Sequence, residues 1–293
     1  MRSTLRKSPA FTLAEMLVAM SVLTLLVLSL TQLVNHTASI TTLGNKRMDA
    51  ESEIRPLFQR MALDFAQLVK RSDVSFYLKT ATTPMAGNDL LGFYSTVQGY
   101  YPTTPSPVSV VAYRVNSDPS NLVARNSLER MGKGLDWNGA SPASFPVVFL
   151  PLTIDGTWPS VASSSIYDDP DPGRRTYEII GPHVFRFEYH YLERQTGNLV
   201  AYPAGWTSLS AVAVRDVAAI VVTIAIIDPT SRVLISNSEI AALGARLPDY
   251  ASGWGPGELR SQWQAALDAT TNLPRPALSS IRLYERTFPV SDR

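Results

Sequence analysis

Cysteine is absent from this sequence. That excludes disulfide staples, thiolate metal centres and thiol catalysis, and it leaves the compartment open, since many exported proteins also lack cysteine. Charge is scarce: Asp, Glu, Lys and Arg make up 17% of the chain, and the formal balance is +1. A general nucleic-acid binder needs a basic surface to neutralise phosphates, so no nucleic-acid partner is expected. Histidine is limited to His36, His183 and His190. The last two stand seven apart in a strand-like stretch, hence on opposite faces, which argues against a histidine metal site. The chain has no G-x-S-x-G elbow, Walker loop, dinucleotide fingerprint or EF-hand spacing. Without a convergent set of polar residues, neither catalysis nor a cofactor nor a metal is expected. Asp168, Asp169 and Asp171 read first as a solvated acidic loop, with calcium as the open alternative. The tryptophans are scattered near Gly and Pro and read as loop anchors, a carbohydrate or partner surface being the alternative.

What the chain does have is a long apolar run near its start. Arg2, Arg6 and Lys7 put three positive charges in the first ten residues, with no acid among them. Met16 to Val34 then gives 19 residues without a charge. As a helix this run spans roughly 28 Å, close to the hydrocarbon thickness of a bilayer. The basic flank predicts a cytoplasmic N-terminus, with the remainder delivered outside. A cleaved secretory signal usually has a shorter apolar run and a small-residue site after it, and Thr31-Gln32-Leu33-Val34-Asn35-His36-Thr37 offers no convincing one. A plain anchor fits the length but leaves Glu15 unexplained, because a carboxylate in an apolar helix is costly and usually marks function.

The stretch Phe11-Thr12-Leu13-Ala14-Glu15-Met16-Leu17-Val18, behind a short basic leader and a small residue, resembles the prepilin signature of type IV pilins and type II secretion pseudopilins. The resemblance implies cleavage between Ala10 and Phe11 by a membrane prepilin peptidase, followed by N-methylation of Phe11. It also makes Glu15 the fifth mature residue, where the family keeps an acid for assembly. Two positions depart from the pattern: Ala10 stands where the family usually has Gly, and Pro9 where a basic residue is common.

Beyond the run, Ile54, Leu57, Phe58, Met61, Phe65, Leu68 and Val69 form one helical stripe, with Glu53, Arg60, Asp64 and Lys70 on other faces. Pro56 is expected to bend or restart this helix. Residues 108–115 read as a strand followed by a turn, and "VAYRV…LVAR" as a strand pair. In residues 183–193, Phe185, Phe187, Tyr189 and Tyr191 share one face, with Arg186, Glu188 and His190 on the other. A turn at 195–198 follows; residues 217–227 suit a strand buried on both faces, and Arg282 to Phe288 a closing strand. Residues 153–176 read as an exposed loop, and "GWGPG" precedes a short helix over 258–268.

These readings give an α+β fold in which a long N-terminal hydrophobic helix, a membrane span continuing into an amphipathic helix, packs on antiparallel β-sheet. The expected division is a leader over 1–10, a membrane and assembly helix over 11–35, and an outer α+β domain over 36–293. The element order also resembles the J-type minor pseudopilins, with the verrucomicrobial cassette pilin-like proteins as the close rival. That resemblance implies a pilin-like fold and a minor subunit of a type II secretion or type IV pilus-like filament. It implies as partners the prepilin peptidase, other pilins through the N-terminal helix, and an inner-membrane assembly platform. Its expected place is the bacterial inner membrane, single-pass, with a periplasmic or extracellular domain. The alternative is an anchored, exported binding module with no filament role.

Overall fold

The computed structural model describes residues 12–69, 87–98, 108–136, 147–148, 177–202 and 216–290. The loop read over 153–176 and the three aspartates within it lie outside the described residues. Helix α1 covers Leu13–Ala66, 54 residues. Its first part, Leu13–Thr37, is 25 residues long, apolar enough to cross a membrane, and buried nowhere. At ~37 Å it exceeds the ~30 Å of a bilayer's hydrocarbon core. Four hydroxyls within this part are satisfied locally. Ser21, Thr24, Thr31 and Thr37 donate to the carbonyls of Leu17, Met20, Val27 and Leu33, at 2.8, 2.7, 2.8 and 2.9 Å. Such back-bonding lets polar side chains sit in apolar surroundings without an unsatisfied donor.

The chain divides into two compact units, Met1–Asp49 and Ala50–Arg293. In the second, α1 supplies the spine. Ala50, Ile54, Leu57, Phe58, Met61 and Phe65 are all buried, a stripe at 3- and 4-residue spacing. The helix runs through Pro56 without restarting. The Pro56 ring is exposed, so its cost is the missing N–H toward Ser52, and packing of the stripe on both sides of it holds the helix. The stripe ends sooner than its spacing predicts. Leu68 leaves the helix to bridge Ser95, and the Val69 N–H donates to the Tyr94 carbonyl at 2.8 Å.

Two sheets follow. The first contains β1 (Leu90–Ser95), β2 (Ser109–Val115), β3 (Leu128–Asp136), β4 (Val147–Val148) and β5 (Tyr177–Gly181). Its order is β1-β2-β3-β4, with β5 also pairing β3, and all pairs are antiparallel except β3–β4. The partner of β2 is therefore β3, not the "LVAR" segment. Asn121 accepts from the N–H groups of Val123 and Ala124, at 3.2 and 2.9 Å, and Asn126 adopts φ 58°. This side-chain capture of backbone turns residues 122–125 before they can extend.

The second sheet has the order β7-β6-β8-β9, from β6 (Val184–Glu193), β7 (Leu199–Val200), β8 (Val217–Ile226) and β9 (Arg282–Pro289), all antiparallel. Between β8 and β9 lie α2 (Pro229–Arg232), α3 (Asn237–Arg246), α4 (Glu258–Asp268) and α5 (Arg275–Leu278). A bulge shifts the β6–β8 register between Val184 and Arg186. It turns Phe185 away from Phe187, Tyr189 and Tyr191, so the four aromatics do not share a face. The latter three join the core around α1, and Phe185 joins the core under the helices that follow β8. Arg186, Glu188 and His190 do lie opposite the three aromatics, but they are buried too. The second sheet is thus packed on both faces, which suits the apolar run of β8.

Asn88 and Asp89 join the sheets. The Asn88 and Asp89 side chains accept from the Phe187 and Tyr189 N–H groups at 2.8 and 2.9 Å, and Asn88 donates to the Phe185 carbonyl at 3.2 Å. The edge of β6 that β7 is too short to cover is closed in this way.

Candidate functional site

Of the residues singled out from sequence, Ala10 and Phe11 lie outside the described residues. Glu15 opens α1 and is exposed. Its Oε2 accepts from the Thr12 N–H and the Thr12 hydroxyl, both at 2.9 Å, and its own N–H donates to the Thr12 hydroxyl at 3.3 Å. This reciprocal arrangement is a capping box, written in the sequence as Thr-x-x-Glu. It satisfies helix donors that would otherwise lack partners. A negative side chain in the first turn also faces the positive end of the helix dipole. Both bonds to the carboxylate end on Oε2, and among the described residues Oε1 takes no donor.

A second group of charges lies deep in the Ala50–Arg293 unit. Asp64 is 0% exposed and Arg130 1%. Arg130 grips Asp64 with two donors, Nε to Oδ2 at 2.6 Å and Nη2 to Oδ1 at 2.9 Å. Tyr113 donates its hydroxyl to the same carboxylate. Burial, then the Asp64 charge, pushes the Tyr113 hydroxyl well above its ordinary range, so it stays a neutral donor. The Arg130 side chain lies flat over Gly132, where a Cβ would meet Nη1 at 2.6 Å. The carboxylate of Asp64 is saturated and has no room for substrate, so the arrangement fixes α1 on β2 and β3. Nearer the start of this helical half, Glu53 accepts the His183 N–H at 3.1 Å and meets His183 Nδ1 at 2.8 Å.

Asp64 does not occupy a face away from the stripe. It stands seven residues after Leu57 and three after Met61, within the buried row, and that spacing is the signal sequence reading missed. Arg130 carried no comparable signal, since β3 ("LERMGKGLD") shows no apolar alternation.

A third group sits beneath α3 and α4. Arg186 Nη2 meets Asp249 Oδ1 at 2.7 Å and Glu188 Oε2 at 3.3 Å, Asp249 Oδ1 also takes the Gly87 N–H at 3.0 Å, and Glu188 Oε1 takes the Tyr250 N–H at 3.1 Å. His190 stacks on Tyr250, centroids 4.0 Å apart. No group of three or more His, Asp or Glu able to hold a metal occurs among the described residues.

The chain is therefore an α+β protein with an N-terminal helix able to cross a membrane. No protein-family model matches it, and comparison with curated proteins gives no match.

Proposed function

We propose that this protein is a pilin-like structural subunit, in kind a minor pseudopilin of a type II secretion or type IV pilus-like filament. The observation that carries the reading is the composition of α1: its first 25 residues are apolar and uncovered, and its Ala50–Phe65 stripe is the spine of an antiparallel α+β unit. A helix built only to anchor has no need to continue as a core element. The basic leader and the Phe-Thr-Leu-x-Glu run support the same reading. On this proposal the helix is anchored in the inner membrane with its N-terminus cytoplasmic. A prepilin peptidase cuts between Ala10 and Phe11, and the mature helix then packs beside those of other pilins on an assembly platform.

Glu15 takes two roles in turn. Before assembly it caps its own helix through Oε2. During assembly the open Oε1 receives the α-amine created at Phe11, most simply that of the adjacent subunit, and an opposite charge relieves the cost of a carboxylate in low dielectric. Mass spectrometry of protein from a peptidase-competent host is expected to find a mature chain beginning at methylated Phe11. A chain beginning at Met1, or beyond Val34, overturns the proposal.

A further inference from the structure

Among the described residues, the helices that follow β8 leave part of the second sheet uncovered. Toward the β6–β7 hairpin that face opens as a cleft of about 620 Å³, within the ~300–1,000 Å³ range of small-molecule sites. Val221, Glu285 and Thr287 contribute to its floor, Asn198 and Leu199 to one wall, and Trp254 to the other.

Trp254 differs from a core tryptophan. Trp263, by comparison, is fully buried and donates Nε1–H to the Pro248 carbonyl at 2.7 Å. Trp254 is only half-buried, meets Tyr250 edge-on at 5.8 Å, and has no hydrogen bond to Nε1 among the described residues. Yet its backbone is held firmly. Tyr250 donates its hydroxyl to the Trp254 carbonyl at 2.6 Å, and the Gly255 N–H donates to Glu258 at 2.9 Å. Gly253 and Gly257 take φ of 98° and 74°, which side chains with a Cβ rarely adopt. The opposite wall is tied to this loop by the Ala201 N–H, which donates to the Ser252 hydroxyl at 3.2 Å. Trp254 is thus held at a fixed position on the lining of a preformed cleft.

We propose that the cleft binds a neutral carbohydrate, a pyranose ring stacking on Trp254 while its hydroxyls bond Asn198, Glu285 and Thr287. Among the described residues Glu285 is the one charged residue lining the cleft, which disfavours phosphates, acidic glycans and acidic peptides. A cationic ligand would find Trp254 as the one aromatic lining residue among the described residues, where cage sites use several. A sugar hydroxyl both donates and accepts. It matches an acceptor-only carboxylate, an amide and a hydroxyl together, and its apolar ring face matches the indole. The inference does not depend on filament assembly.

The test uses the full-length protein in a detergent that carries no sugar headgroup, applied to an array of neutral and acidic oligosaccharides. Glucose-, mannose- and N-acetylglucosamine-based oligomers represent the neutral class. The best neutral oligomer is then titrated by calorimetry. Trp254→Ala is expected to raise Kd at least tenfold, and Thr287→Val severalfold, with thermal unfolding unchanged for Thr287→Val. Should Trp254→Ala disturb folding, Asn198→Ala, at an exposed position, takes its place beside Thr287→Val. Capture of no neutral glycan, capture of acidic glycans alone, or affinity unchanged in the correctly folded variants overturns the proposal.

Discussion

At Glu15 two roles make different demands on the side chain. A capping box accepts Gln as well as Glu, because only an acceptor toward the first turn is needed. Pairing with an α-amine needs the charge. Glu15→Gln should therefore keep the helix start intact yet fail to co-purify with partner pilins, as should Glu15→Ala. Thr12→Val should weaken the cap while leaving co-purification in place. Co-purification and processing of Glu15→Gln at the parent's level would leave capping as the whole role of Glu15. Asp64 makes its own demand. Asp64→Ala strands the buried Arg130 guanidinium and should cost ~3–5 kcal/mol in urea denaturation. The triple change Asp64→Leu, Arg130→Met and Tyr113→Phe, which also removes the hydroxyl that Asp64 accepts, should recover most of that loss. Gly132→Ala, by pushing on Arg130, should destabilise in the same direction.

At the scale of elements, α3 shows how a helix start couples to pH. The Ser236 hydroxyl and N–H donate to Glu239 at 2.7 and 2.8 Å, and these bonds, the hydroxyl's first, hold its carboxyl below the ordinary value. Asp118 is lowered in the same way by the hydroxyl and N–H of Ser120. A depressed folded pKa means that the stabilisation is complete above the unfolded carboxylate's value of ~4 and is lost as pH falls through the folded value. The urea midpoint should therefore fall on acidification below about pH 4, and Glu239→Gln should make that fall shallower. On α1, Phe65 has Phe93 and Phe288 within 5.2 and 5.0 Å, centroid to centroid. Phe65→Ala should cost ~3–5 kcal/mol, and a variant as stable as its parent would refute the packing described.

For the whole molecule the informative fact is where the cores begin. Both hydrophobic clusters draw every residue from position 50 onward. A fragment starting near residue 38, without the apolar part of α1, is therefore expected to be soluble without detergent, with one cooperative unfolding transition. An insoluble fragment, or one with no transition, would count against an independent Ala50–Arg293 unit. The charged ties from α1 to the strands serve this independence, because Glu53 and Asp64 hold the helical half at both ends.

Periodicity made the local elements legible. A charge-free run gave the apolar helix, 3- and 4-residue spacing gave the buried stripe, and β-branched density gave β8 as a strand buried on both faces. The α4 start was marked by "GWGPG", and its bounds, Glu258–Asp268, fall where the sequence puts them. β1, β3 and β5 were not legible, since their side chains answer to partners distant in sequence rather than to a repeat of their own; α3 had a readable signal, the Ser236-x-x-Glu239 cap and Ile240, Leu243 and Leu247 at helical spacing, that sequence reading missed. The Thr12–Glu15 cap stood in the sequence as a plain motif, and Asp64 stood on the buried row. What only the tertiary structure decided is which charges are buried and which aromatics share a face. Arg130 is paired with a carboxylate 66 positions away, and a single bulge sends Phe185 to a different core from Phe187. The Trp254 cleft likewise exists only once the β6–β7 hairpin, β8, β9 and a glycine-shaped loop have met. Local spacing determines the shape of an element, but the solvation of a side chain is set by whatever the rest of the fold brings against it.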